Sequence, residues 1–232
     1  MELFYSPAIK GEIFTLETEE SKHIVKVLRK KNGDRFHITD GLGHLFEVQI
    51  IDDRPKACVV RILSTLQEQA KQSRLHIAIA PTKNTNRTEW FLEKSTEIGI
   101  DKITPLLCEH SERKTIKPER LQKVIVAAAK QSIKTFFPHL STMSKFTTFI
   151  QQNFTGDKYI ALCRDENLKP LQELCSKKND TLILIGPEGG FSHSEIHLAK
   201  KNGFIPISLG DSRLRTETAG IVACTIINNC PQ

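Results

Sequence analysis

Thr181-Leu182-Ile183-Leu184-Ile185-Gly186-Pro187-Glu188-Gly189-Gly190-Phe191-Ser192 is the stretch whose reading decides the fold. A short apolar strand ends in a Gly-Pro-Glu-Gly-Gly loop, and a helix then begins. Ser192 and Glu195 stand three apart, the spacing of a capping box. The helix closes at Lys200-Lys201-Asn202-Gly203, with cations in its last turn and glycine as the stop. In open α/β sheets, ligands sit outside the carboxyl ends of the strands. Glycines there let a backbone approach a ligand closely. A tight turn explains one glycine more easily than three flanking Pro187-Glu188. The loop matches neither G-x-x-x-x-G-K-[ST] nor G-x-G-x-x-G. Glu188 would repel a phosphate, so a neutral or cationic nucleoside suits the loop better.

The next strand ends in a second loop, Leu209-Gly210-Asp211-Ser212-Arg213-Leu214-Arg215-Thr216-Glu217-Thr218-Ala219. Thr216 is expected as N-cap, with Glu217 in the first turn where the helix dipole favours it. Ala219 to Ile227 is apolar nearly all round, as in a helix buried in the core or covered by a second subunit. Arg213 and Arg215 stand at the loop mouth.

Working outward, strands are expected at Leu75–Ala80, Ile103–Cys108, Tyr159–Cys163, Thr181–Ile185 and Ile205–Leu209. Helices alternate with them, at about Arg87–Ile98, Pro118–Lys134, Lys145–Asn153, Leu168–Ser176, Ser194–Asn202 and Glu217–Asn228. This alternation predicts an α/β domain with a mostly parallel sheet. Residues 1–72 read instead as short strands, Glu12–Thr15, Arg35–Thr39, Leu45–Ile51 and Ala57–Leu63, around one helix at Glu19–Arg29. Turns at Asn32-Gly33-Asp34 and Asp40-Gly41-Leu42-Gly43 separate them, as in a small barrel. The boundary is expected near residue 72.

The charge is unevenly spread. The formal net charge is +6, residues 1–72 are neutral, and residues 109–145 hold eight basic side chains against three acidic ones. On one helix, Arg120, Lys123, Lys130 and Lys134 would share a narrow sector opposite Leu121, Ile125, Ala128 and Ala129. That stripe reads equally as a grip on a phosphate backbone and as an ordinary solvated face.

At 232 residues and 39% hydrophobic, the chain can bury a core without a disulfide or metal staple. No apolar run reaches the ~18–20 residues of a membrane span. Met1–Pro7 lacks the features of a signal peptide, which favours a cytoplasmic address. Cys58, Cys108, Cys163, Cys175, Cys224 and Cys230 include no C-x-x-C pair and are expected as reduced thiols. His193 and His197 lie four apart, but Ser194 stands where H-E-x-x-H requires glutamate, so no metal is expected.

Gly186-Pro187-Glu188-Gly189-Gly190-Phe191-Ser192, Leu209-Gly210 and Leu214-Arg215-Thr216-Glu217-Thr218-Ala219 together resemble a known family. It is the bacterial small-subunit (16S) ribosomal RNA uridine-N3 methyltransferase family of the SPOUT superfamily. Lys83, Arg87, Glu89, Lys94, Glu97–Ile100, Ser111-Glu112-Arg113, Gln131-Ser132, His23, Val27-Leu28-Arg29 and Gly33-Asp34 match in order along the chain. Ser212-Arg213 depart from the family pattern, and Lys134 stands where many members have arginine.

The resemblance implies a PUA-like RNA-binding β-barrel over 1–72 and a SPOUT methyltransferase domain over 73–232 with a C-terminal trefoil knot. It also implies a homodimer, the cofactor S-adenosyl-L-methionine, and 16S rRNA or the small ribosomal subunit as partner. Cofactor contacts are expected at Pro81, Ile185, Gly186, Pro187, Gly189, Gly190, Ser208, Leu209, Gly210, Leu214 and Thr218. Arg215 would stabilise a uracil anion, and Glu188 or Glu217 would take the proton, with helix capping an equal role for Glu217. RNA contacts are expected at Lys22, His23, Lys26, Arg29, Arg113, Arg120, Lys123, Lys130 and Lys134. A non-catalytic RNA-binding or ribosome-assembly protein, and a SPOUT enzyme acting on another RNA position, are the rival readings.

Overall fold

The computed structural model describes residues 2–163 and 168–231. The chain divides into two compact units, Met1–Ala70 with Val126–Phe137, and Lys71–Ile125 with Pro138–Gln232.

The first unit contains β1 (Leu3–Tyr5), β2 (Ile13–Thr15), α1 (Thr18–Lys22), β3 (Arg35–Thr39), β4 (His44–Asp52) and β5 (Val59–Gln67). They form a five-stranded sheet in the order β1-β3-β4-β5-β2. Phe4, Phe14, Ile24, Phe36, Ile38, Val48, Ile50 and Val60 fill its core. β1 was not expected, because three residues are too few to show a period; it pairs in parallel with β3. Residues 126–137 join this unit through bonds from the Thr39 hydroxyl and the Gly43 amide to the Thr135 carbonyl. The Phe137 ring also stacks on Tyr5 with centroids 4.7 Å apart.

The helix expected over Glu19–Arg29 is two pieces. After α1 the chain widens to a π-helix at His23–Val27, and Arg29 adopts a left-handed φ of 57°. Lys22, Lys26 and Arg29 are all exposed, but the wider turn and the reversed φ take them off a common helical stripe.

The second unit begins with β6 (Leu75–Ile79), α2 (Thr85–Ile98), β7 (Lys102–Leu107) and the start of α3 (Pro118–Gln131), whose residues from Val126 on belong to the first unit. β8 (His139–Leu140), β9 (Ser144–Lys145), α4 (Phe146–Phe149), β10 (Asp157–Ala161), β11 (Lys169–Pro170) and α5 (Leu171–Leu174) follow. It ends with β12 (Thr181–Ile185), α6 (His193–Lys201), β13 (Ile205–Ser208) and α7 (Thr216–Asn228). The sheet order is β11-β13-β10-β12-β6-β7-β8, with β9 also on β7, and every pairing is parallel.

Both faces of the sheet are covered, so β6 and β12 are buried at every residue. Ile77, Ile79, Ile183 and Ile185 point to one face, against Phe91 of α2, Ile125 of α3 and Ala223 of α7. Ala78, Leu182 and Leu184 point to the other, against Phe146 and Phe149 of α4 and Ala199 of α6. Gly220 lets α7 approach α2: a Cβ there would lie 2.6 Å from the Phe91 ring.

Two expectations need correction. α3 ends at Gln131, and Ile133 turns to a φ of 55°, so Lys134 lies beyond the helix rather than on its basic stripe. Cys175 and Cys230 form a disulfide with Cα atoms 6.2 Å apart, although 55 positions separate them in sequence. The expectation of six reduced thiols fails because α5 and α7 pack on the same face and bring their C-terminal ends together.

His76 is buried in β6, with Nε2 2.8 Å from the Thr104 hydroxyl and its ring edge-on to Phe149. Burial, then Lys102 and His139, pull its pKa from 6.5 to about 3. The unfolded chain therefore binds a proton below pH 6.5 that the folded chain refuses until about pH 3. This stability is complete at neutral pH and is lost as pH falls through that window. Moving from pH 7 to pH 5 should cost about 2 kcal/mol through this residue. Urea unfolding of wild type and His76→Gln at both pH values checks it: the variant should lose that part of the pH dependence.

Candidate functional site

Parallel strands send their following turns to one edge. Here the turns after β6 (residues 80–84), β7 (108–117), β12 (186–192) and β13 (209–215) gather at the carboxyl edge. The ladder continues into them, since the Ala80 amide donates to the Ile185 carbonyl at 3.0 Å.

The glycine loop is a tight turn, closed by the Gly190 amide donating to the Pro187 carbonyl at 2.8 Å. Gly190 has φ of +78°, which a side chain would strain. Gly189 lies against His110, where an added Cβ would come within 3.0 Å of the His110 Cβ. The His110 Nδ1 is 3.1 Å from the Gly190 carbonyl.

Charged side chains bind these turns to one another. Glu188 Oε1 accepts from the Lys83 amide at 3.0 Å. The Lys83 ammonium pairs with Glu112 at 2.7 Å, which raises its pKa. The Arg113 Nε donates to the Thr82 carbonyl at 3.0 Å, and its Nη2 donates to the Lys83 carbonyl. Glu195 completes the expected capping box with Ser192, accepting from the Ser192 amide at 2.9 Å. Its other oxygen accepts from the Glu109 amide at 2.9 Å, so one buried carboxylate holds two loops.

The α7 entrance differs from expectation by one residue. Arg215, not Thr216, occupies the N-cap with extended dihedrals. Thr216 is freed to donate its hydroxyl to the Gly186 carbonyl at 3.0 Å, which joins the second loop to the first. Arg215 is exposed, and no carboxylate pairs with it among the described residues. Glu217 is buried, with Oε1 3.7 Å from the Arg87 Nε.

Four carboxylate oxygens among the described residues are buried and have no hydrogen-bond partner, Glu20 Oε2, Glu89 Oε1, Glu188 Oε2 and Glu217 Oε2. The Glu20 and Glu89 carboxylates sit in short ion pairs with Lys130 and Arg120, whereas Glu188 and Glu217 stand on the two loops at this edge. Buried polar atoms are normally satisfied, so such orphans call for a ligand that brings a cation or an N–H or O–H donor. A sulfonium nucleoside carrying an ammonium and ribose hydroxyls fits this demand.

Of the expected cofactor contacts, Pro81, Ile185 and Pro187 are buried. Gly186, Gly190, Ser208, Leu209, Leu214 and Thr218 are half-buried, while Gly189 and Gly210 are exposed. The expected RNA contacts are divided. Lys22, His23, Lys26, Arg29 and Lys123 are exposed. Arg120 is paired with Glu89, and Lys130 with Glu20 beneath the Phe4 ring. Glu195 was legible only as a cap, and the reach of its second oxygen left no mark in the sequence. The Lys83–Glu112 pair and the His110 contact were likewise missed, because their partners lie far apart in the chain.

The fold and site define a ligand-binding α/β domain attached to a small β domain. The RNA methyltransferase domain family matches residues 68–228, and the RNA methyltransferase PUA domain family matches residues 16–63. The chain belongs to this RNA methyltransferase family. A "Ribosomal RNA small subunit methyltransferase E" of Buchnera aphidicola is 30% identical, covering 94% of this chain and 88% of that protein. One of Rickettsia conorii is 31% identical, covering 90% and 86%. The solved structure of a probable rRNA-methyltransferase from Porphyromonas gingivalis is 42% identical with a TM-score of 0.91, covering 97% and 95%. A putative methyltransferase from Legionella pneumophila, solved with bound SAM, is 30% identical with a TM-score of 0.85, covering 97% and 96%.

Replacing Glu195 by alanine strands two backbone donors. Glu195→Ala should cost about 2–4 kcal/mol in urea unfolding. His193→Ala, exposed on the same turn and making no side-chain hydrogen bond among the described residues, should stay within about 0.5 kcal/mol.

Proposed function

We propose that the protein transfers a methyl group from S-adenosyl-L-methionine to N3 of a uridine in small-subunit ribosomal RNA. The observation that carries this reading is the pair of orphaned carboxylate oxygens, Glu188 Oε2 and Glu217 Oε2, on the two loops that the Thr216 hydroxyl joins. The names of the relatives and the SAM-bound Legionella structure support the cofactor and the substrate.

When bound, the cofactor supplies an electrophilic methyl group on a positively charged sulfur. The main-chain groups of 185–190 and 209–214, with Pro81, Ser208 and Thr218, hold its nucleoside and amino-acid parts. The uracil N3–H must lose its proton, and the ring then carries negative charge on O2, N3 and O4. Arg215, exposed at the loop mouth and paired with no carboxylate among the described residues, stabilises that charge. Glu188 and Glu217 are the two candidate proton acceptors. Glu217 lies 3.7 Å from the Arg87 Nε, and Glu188 accepts from the Lys83 amide, so each keeps one oxygen free for the proton. N3 lies on the pairing edge, so the target base must be unpaired or turned out before it reacts.

The PUA-like unit grips the RNA through Lys22, His23, Lys26 and Arg29, with Arg113, Arg120, Lys123, Lys130 and Lys134 adding positive charge. This division assigns RNA binding to residues 1–72 and methyl transfer to 73–232. A C-terminal trefoil knot forms the cofactor loops, and the protein works as a cytoplasmic homodimer. Ile221, Val222 and Ile226 of α7 are only half-buried, and Trp90 of α2 is 42% exposed, which leaves an apolar face for a second copy.

Mass spectrometry of nucleosides from small-subunit RNA incubated with protein and cofactor should detect 3-methyluridine. A methyl group on another atom or on ribose would overturn the assignment. Arg215→Ala should lower kcat by roughly 100-fold or more while changing cofactor Kd little. Equal losses in both would remove its catalytic role.

A further inference from the structure

A cavity of about 270 Å³ lies between the start of α2 and the segment leading into α3, sharing only Pro81 with the residues assigned to the cofactor. Its lining carries Arg113, Lys117 and Arg120 and no carboxylate. Arg120 is neutralised by Glu89, with Nε and Nη2 both on that carboxylate. Arg113 and Lys117 pair with no carboxylate among the described residues. Arg113 is held rigid by the Thr82 and Lys83 carbonyls, which keeps its charge in place with donors to spare.

The remaining wall has two characters. Thr85 and Thr115 present hydroxyls that make no hydrogen bond among the described residues. Pro81 and Ile116 present apolar surface. Unopposed positive charge, open hydroxyls and a flat apolar wall are the complement of phosphate, sugar and base. The volume is just below the ~300–1,000 Å³ of small-ligand sites, which leaves room for one nucleotide and not for an oligonucleotide.

We propose that this cavity binds a single nucleotide of the RNA strand next to the methylated uridine. The proposal rests on the RNA methyltransferase reading above and adds a site to it. Pro81 lines the cavity, two residues before Lys83, whose amide donates to Glu188 of the glycine loop at 3.0 Å. A neighbouring nucleotide seated there anchors the strand beside the reacting base. Apolar contact at Ile116 orients its ring, Thr85 and Thr115 bond its sugar, and Arg113 and Lys117 hold its phosphate.

The test uses full-length protein saturated with S-adenosylmethionine and titrated with uridine 5′-monophosphate, inorganic phosphate and uridine, followed by backbone amide NMR. The nucleotide should shift the amides of Thr85, Thr115 and Ile116 and bind more tightly than phosphate or uridine alone. Lys117→Glu and the cavity-filling Thr85→Phe should each weaken it by about ten-fold or more. Both should keep the wild-type circular dichroism, Tm and cofactor Kd. In methylation assays Lys117→Ala should raise KM for RNA with little change in kcat. It should also lower the salt slope of RNA binding by about 0.7. Equal affinity for phosphate and nucleotide, shifts confined to 186–190 and 209–214, or unaltered binding by both variants would overturn the site. Failure of the wild-type protein to bind S-adenosylmethionine would overturn the proposed function instead.

Discussion

The structure depends on one packing constraint: β12 is sealed on both faces and paired in parallel on both edges, with β10 on one side and β6 on the other. A strand in that position has no polar side to turn outward, so Thr181–Ile185 must be apolar after its first residue. Parallel pairing on both sides also sets the direction of its neighbours. The turns after β6 and β12 therefore leave the sheet at the same edge. The glycine loop meets the 80–84 turn because the register Ile185 to Ile79 runs to the last residue of each strand.

From that edge outward, carboxylates do most of the joining. Glu195 takes two amides from two different turns, Glu188 takes the Lys83 amide, and Glu112 takes the Lys83 ammonium. Each bond costs desolvation and is recovered only with its partner in place, which makes the loops mutually dependent. Glu188 and Glu217 depart from this economy, since each keeps one buried oxygen unmatched. Glu20 and Glu89 keep one such oxygen each within short ion pairs to Lys130 and Arg120, so it is the position on the loop edge that marks Glu188 and Glu217 as awaiting a ligand.

Much of this was legible in the sequence because it is local. Thr181–Ile185, the capping box of Ser192 and Glu195, and the strand at Arg35–Thr39 were read at their observed positions. The alternation of strands and helices announced the parallel sheet. Errors fell where local signals are weak or misleading. The three residues of β1 and the two of β8, β9 and β11 are too short to show a period. The basic residues 120–134 looked like one stripe, yet the helix stops at Gln131 and two of the four cations are taken by Glu89 and Glu20.

The sequence by itself determined the parallel α/β sheet, its glycine-rich edge and the residue types present there, because periodicity and capping act over three or four neighbours. Only the tertiary structure decided that Cys175 meets Cys230, that Thr216 reaches Gly186, and that residues 126–137 belong with the first unit. It also decided which carboxylates are satisfied and which are left open. Those contacts join positions up to about a hundred residues apart, and no local pattern records the register in which distant segments finally pack.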